Sequence, residues 1–203
     1  MEILTIFEAL SQELNKNKDK LNELDGIIVD ADFGSNITRG FEEVVKKGHT
    51  HFVKDSPLSE DLRTTGMTLM AKVGGSSGIL LGKAVMAMGD QIKDKHDLKN
   101  SDLERMLRAA ITMITRLGKA VPGDKTLLDA LEPACNAFAS VKDNEPIAFK
   151  YAAVAARKGA EDTINMVSKR GRSSYLGERS IGHMDAGALA VALIFEKLAS
   201  MKI

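Results

Sequence analysis

Tryptophan is absent, and aromatic residues make up only 4% of the 203 positions. The apolar content of 44% therefore comes mainly from Leu, Ile, Ala and Met, a mixture that favours helices. Charge of either sign is not in excess, with 28 basic residues against 28 acidic ones. The chain thus lacks the global field that draws proteins onto nucleic acid or an anionic membrane, and neither is expected as a partner. A single cysteine, Cys135, excludes an internal disulfide. Beside Ala134 and Ala137 it reads as a buried free thiol in a reducing compartment. No stretch approaches the roughly 18 consecutive apolar residues of a membrane span, and Met1 to Phe7 lack the basic leader and apolar run of a secretory signal. A soluble cytoplasmic protein is expected. Period-two alternation is missing too, which leaves no strand to compete with helices, and the length suits one domain over residues 1–203.

What is present is helical periodicity. Ile3, Phe7, Leu10, Leu14 and Leu21 predict a first helix over about 2–24, and Ile37, Phe41, Val44 and Val45 a second that ends in a basic turn with Gly48 as its stop. Leu62 to Val73 mark a third, Ile79 to Met88 a fourth, and Leu103 to Leu117 a fifth. Leu127 to Ala134 carry a sixth, and Ile147 to Val167 a seventh that opens at Asn144-Glu145-Pro146. Ala188 to Ala199 form the eighth. The expected class is all-α, with eight amphipathic helices in an antiparallel up-down barrel.

The second positive feature is Leu24-Asp25-Gly26-Ile27-Ile28-Val29-Asp30-Ala31-Asp32-Phe33-Gly34-Ser35-Asn36, in which three carboxylates fall within eight residues. Hard cations such as Mg²⁺ take carboxylate oxygens and share a few of them with substrate phosphates. A turn in which Asp25 ends one helix and Asp32 or Ser35 caps the next fits the same spacing. The segment Gly74-Gly75-Ser76-Ser77-Gly78 offers backbone N–H groups, two hydroxyls and a helix N-terminus, the makings of a phosphate cradle. It is not a Walker loop, because Ser77 precedes Gly82-Lys83 and Ala84 follows. Between Lys169 and Gly187 periodicity fails over a length that points to function. Arg172 and Arg179 there could fork onto phosphate oxygens, whereas His183 reads as a structural hydrogen-bonding residue. If consecutive helices run antiparallel, the connections after the first, third, fifth and seventh share one end. The acidic turn, the GGSSG break, the Gly118-to-Asp124 loop and the long last loop then gather at one pole. His49 and His51 fall at the opposite pole and have no further ligand nearby.

The motifs DADFGSN, KVGGSSG, PGDKTLLDAL and GRSSYLGERSIGHMDAGA resemble the nucleotide-binding subunit family of phosphotransferase-system-dependent bacterial dihydroxyacetone kinases, over nearly the whole chain. The resemblance implies an eight-helix antiparallel barrel holding ADP as a retained cofactor at one end. It also implies a phosphotransferase whose ADP is phosphorylated by a phosphocarrier subunit and whose phosphoryl group passes to dihydroxyacetone on a partner subunit. By that resemblance Asp25, Asp30 and Asp32 are ligands of two Mg²⁺ ions, and Gly34, Ser35, Asn36, Ser76 and Ser77 contact the nucleotide. Gly118, Leu127, Arg172, Asp185 and Gly187 line the rest of its pocket. The family usually has histidine where Phe33 stands, at a nucleotide-contacting position, and proline where Ala186 stands.

Phosphoryl transfer asks for positioning and charge neutralisation, so metal-binding carboxylates, backbone donors and an arginine suffice without a side-chain nucleophile. Two other functions stay open on the sequence. One is a non-catalytic relative that docks partner proteins through the same loops, for which Phe33 is the only support. The other is a Mg²⁺-dependent phosphohydrolase. The partner-docking surface and the oligomeric state, a homodimer included, are left open as well.

Overall fold

A computed structural model describes residues 2–28, 30–52, 56–93, 95, 98–141 and 144–201. Val29 of the acidic stretch, and parts of the connections before Pro57 and around residue 96, lie outside the described residues. Among those described, no strand occurs, and no helix is long and apolar enough to cross a membrane. The helices are α1 (Ile3–Lys16), α2 (Lys18–Ile28), α3 (Phe33–His51), α4 (Leu58–Lys72), α5 (Gly75–Asp90), α6 (Asn100–Gly118), α7 (Leu128–Ala139), α8 (Glu145–Asp162) and α9 (Ala186–Ser200). Short 3₁₀ turns at Thr163–Asn165 and Arg172–Ser180 punctuate the long last connection.

The expected first helix is broken at Asn17, whose side-chain amide donates to the Glu13 carbonyl at 2.9 Å and to its carboxylate at 2.9 Å. Asparagine bonding to its own backbone competes with the helical ladder. The apolar pattern conceals the break because Leu14 and Leu21 are both fully buried on one face. The helix then continues to Ile28, so Asp25 lies in its last turn rather than after its end. Gly48 is no stop either. α3 runs through it to His51, and a Cβ there would meet Leu4 Cδ1 at 2.6 Å and the Phe52 ring at 2.9 Å. It is glycine because α1 passes too close for a side chain. α5 begins at Gly75, four residues before Ile79, since the small residues that look like a break form its first turn.

Neighbouring helices pack in sequence, α1 on α3 and then each on its successor to α9, which returns to α1. Two apolar clusters fill this ring. One joins α1 to α4 with Leu189 and Leu193, the other joins α6 to α8 with Ala188, Val191, Ala192 and Phe195. α9 therefore presents opposite faces to two cores, which is why Ala188 to Leu193 is apolar all round. Where α7 meets α8, Pro133 lacks the N–H that would bond the Asp129 carbonyl. Gly159 of α8 packs over that carbonyl, where a Cβ would overlap it.

Candidate functional site

A cavity of about 600 Å³ opens where the end of α2, the starts of α3, α5 and α9, the end of α6 and the two loops 119–127 and 166–185 converge. The four connections expected to share a pole therefore do meet.

Its acidic wall is built locally. Ala31 adopts a left-handed backbone (φ 60) between Asp30 and Asp32, and Gly26 makes room for it, since a Cβ on Gly26 would lie 2.8 Å from the Ala31 Cβ. That turn brings one oxygen from each of Asp25, Asp30 and Asp32 within 4.8 Å of the others. Asp25 does more than wait for a cation. Its Oδ2 accepts the N–H groups of Asp32 at 3.0 Å and Phe33 at 3.3 Å, capping α3 from the preceding helix. Asp32 makes no side-chain cap of its own. Burial pushes the Asp25 carboxyl up, the two amides pull it down, and the charges of Asp30 and Asp32 raise it further. Three hard oxygen donors, half-buried to exposed, leave space for the waters that Mg²⁺ retains, so the donor set fits that ion.

Asp25 lines the cavity together with Ser76 and Ser77 in the first turn of α5, whereas Asp30 and Asp32 lie outside the lining. Gly74 supplies no side-chain cap to that turn, whose N–H groups form the positive end of a 16-residue helix. Phe33, Gly118, Leu127, Arg172, Asp185 and Gly187 also line the cavity. Arg172, exposed in the last loop, ion-pairs with Asp30. Asp185 caps α9, accepting the Ala188 N–H at 2.7 Å, and burial pushes its carboxyl up to about 6. Gly187 is required by proximity, because a Cβ would sit 3.0 Å from Asp185 Oδ2 and 3.4 Å from Leu127 Cβ. Ala186 occupies the first position of α9, where proline is equally at home, so its departure from the family's usual residue leaves the cap intact.

Gly34, Ser35 and Asn36 are not brought to the cavity lining. Gly34 is buried against α2, where a Cβ would overlap the Lys18 carbonyl oxygen. The Ser35 N–H donates to Asn22 Oδ1 at 2.9 Å while the Asn22 amide donates to Ser35 Oγ at 3.0 Å. Asn36 accepts from Arg39 at 2.7 Å. Gly34 and Ser35 clamp α2 to α3 and so fix Asp25 relative to Asp32, while Asn36 bonds within α3. Phe33 is half-buried, and its ring packs against the N-terminal core.

Sequence reasoning missed Lys125 and Arg170, which also line the cavity. Arg170 donates through Nε to Asp124 at 2.7 Å. Lys125 is 2% exposed, with its Nζ among four backbone carbonyls. Between Asp124 and Thr126 in a glycine- and proline-bearing loop, a lysine reads as solvated. Only its positive φ of 59 and those carbonyls reveal otherwise.

An all-helical ring in which an acidic turn and a glycine-led helix start meet at one pocket defines a class, and the chain belongs to the DAK2 domain family, whose pattern matches residues 27–200. Within it, the chain is 38% identical over 182 residues to the Escherichia coli PEP-dependent dihydroxyacetone kinase, ADP-binding subunit DhaL, covering 88% of this chain and 86% of that one. It is 36% identical to the Lactococcus lactis PTS-dependent dihydroxyacetone kinase, ADP-binding subunit DhaL, covering 93% and 90%. The fold is similar to the crystal structure of the dihydroxyacetone kinase from C. freundii in complex with AMP-PNP and Mg²⁺. That likeness has a TM-score of 0.78 at 27% identity and covers 97% of this chain but only 33% of that longer one.

Proposed function

We propose that this protein is the ADP-binding subunit of a phosphotransferase-system-dependent dihydroxyacetone kinase, a phosphotransferase acting in the cytoplasm. The observation that carries the reading is a cavity large enough for a nucleotide, lined by Asp25 and by Ser76 and Ser77 of the first turn of α5, with Asp30 and Asp32 clustered on Asp25 beside it. Bound ADP is phosphorylated by a phosphocarrier subunit, and the phosphoryl group passes to dihydroxyacetone held by a second partner subunit. The closed ring is read as an antiparallel up-down barrel in which α1 and α2 count as one kinked helix. Residues 1–203 then form a single nucleotide-binding domain.

Asp25, Asp30 and Asp32 would hold two Mg²⁺ ions, which supply neutralisation of the phosphate charge. The N–H groups and hydroxyls of Ser76 and Ser77 bind phosphate oxygens, and Arg172 adds a fork of donors to them. Leu80, Ile114 and Leu127 give the apolar part of the cavity in which a base can lie, next to Gly118 and Gly187. Asp185 offers an acceptor at the floor. No side chain of this chain attacks phosphorus; its task is to orient the transferring group and exclude water. Packing of Phe33 against the N-terminal core accounts for its ring without a docking role, which removes the sequence support for a non-catalytic relative.

Protein dialysed without nucleotide is expected to retain ADP and Mg²⁺. Mixed with the two partner subunits, dihydroxyacetone and a phosphoryl donor, it is expected to sustain turnover. Recovery of neither ligand, together with no rise in melting temperature on adding both, overturns the reading. Net hydrolysis without an acceptor favours a phosphohydrolase instead.

A further inference from the structure

The loop that carries Arg172 has only 3₁₀ turns of its own, yet it must hold a guanidinium against a carboxylate 142 residues away. Part of its attachment is internal, from the Ser168 N–H to Ser180 Oγ at 2.9 Å and from the Gly182 N–H to the Ile164 carbonyl at 2.8 Å, and part comes from two consecutive residues in the 119–127 loop. The Asp124 carbonyl accepts the Lys169 N–H at 3.1 Å, and its carboxylate takes Arg170 at 2.7 Å. Lys125 does the rest. Its ammonium donates to the carbonyls of Thr163 at 2.8 Å and Met166 at 3.2 Å on the way into the loop, and of Ser180 at 2.7 Å and His183 at 2.5 Å on the way out. Entry and exit of the loop are thus tied to one buried charge, and residues 171–179 between them form an arc. Gly171, Gly177 and Gly182 all adopt positive φ, which gives the arc bends that other residues resist.

We propose that Lys125 is a positioning residue of the nucleotide site, whose ammonium closes the base of the 171–179 arc and thereby delivers Arg172 to the acidic turn. The Gly123-Asp124-Lys125-Thr126 sequence invites a different role, that of a lysine bound to phosphate. The geometry argues against it, because an ammonium has three protons and four carbonyl oxygens already surround this one. Lys125 acts on the ligand through the loop and not by touching it. The same charge lies close enough to Asp185 to favour its ionised form, opposing Asp129 and Asp25. One residue therefore supports both the cover and the floor of the cavity.

The proposal rests on the nucleotide reading above, and the test keeps the two separable. Amide hydrogen exchange of the ligand-free protein reports the arc alone, and ADP binding in the presence of Mg²⁺ reports the site. Lys125→Met is expected to keep its helical circular dichroism, to exchange faster across residues 169–182, and to bind ADP about tenfold more weakly or worse. The loss should not add to that of Arg172→Ala, so the double variant binds no more weakly than the poorer single one. A purely structural role would lower the melting temperature and leave the two losses additive. Additive losses, an unchanged affinity, or an arc that stays protected overturn the proposal. Should Lys125→Met fail to fold, Lys125→Gln, which keeps two donors, is judged by the same criteria. If neither folds, Lys125 is a residue of the whole fold and the proposal fails. Wild-type protein that binds no ADP overturns the nucleotide reading and the site role together, while the exchange data still decide whether Lys125 ties the arc.

Discussion

The guanidinium of Arg172 rests on the carboxylate of Asp30, joining the last loop to the first acidic turn across the mouth of the cavity. Both groups are solvent-accessible, so the pair adds little to stability. Its consequence is for binding. Arg172→Ala is expected to leave the melting temperature of the free protein nearly unchanged and to weaken ADP by about tenfold, as isothermal titration in the presence of Mg²⁺ would register. Arg172→Lys recovers only part of the loss, because an ammonium lacks the planar fork. An equal loss of melting temperature and affinity would mean that the pair holds the fold.

The three aspartates should separate in their effects. Asp30→Asn and Asp32→Asn are expected to remain folded by circular dichroism while losing the Mg²⁺-dependent gain in melting temperature. Asp25→Ala should lose that gain and also destabilise the free protein, by about 1 kcal/mol, since it removes the oxygen that accepts two amides of α3. Denaturant titration with and without Mg²⁺ makes the distinction. Identical free-protein stability in all three variants contradicts the cap.

Asp185 predicts a pH dependence with a definite sign. Its carboxyl is raised from an ordinary 3.8 to about 6, mainly by burial, so between those values the folded chain binds more protons than the unfolded one. That contribution to stability is full below about pH 4, is lost as the pH rises through about 6, and does not return. Asp185→Asn keeps an acceptor for the Ala188 N–H and has no charge to bury. It should exceed the wild type by roughly 3 kcal/mol near pH 8 and match it near pH 4. The difference between the two proteins, followed by urea unfolding across that range, isolates this one group. A difference independent of pH refutes the assignment.

Gly34→Ala tests whether the glycine of DADFGSN serves packing or ligand. The added methyl group overlaps the Lys18 carbonyl, so α2 and α3 must separate. A loss of about 1–3 kcal/mol is expected in the free protein, measured by chemical denaturation, with weaker Mg²⁺ binding as a secondary effect. Undiminished stability with lost ADP binding would return Gly34 to a ligand-contacting role.

Much of the architecture is legible in the order of residues because helical periodicity is a direct image of burial. The stripe of Leu103, Met106, Leu107, Ala110, Ile114 and Leu117 lies within α6, and loop parity brings Asp25, Ser76, Gly118 and Arg172 to one cavity. What escapes is whatever depends on approach in space. Gly48 reads as a stop and is a contact with Leu4 and Phe52. Asn17 breaks a helix without disturbing its apolar pattern, since Leu14 and Leu21 are seven residues apart on either side. Gly34 and Ser35 carry small polar chemistry that suits a phosphate equally well, and the packing of α2 against them is not visible in their spacing. Lys125 is the extreme case, a charge whose four partners come from 38 to 58 residues later in the chain.

The twofold burial of α9 sets the way this protein comes apart. Each core uses the helix as its wall, so neither half can melt while the other keeps its packing, and a single calorimetric transition is expected in place of two. Asp185 and Gly187, at the opening turn of that helix, therefore belong to the last part of the molecule to loosen.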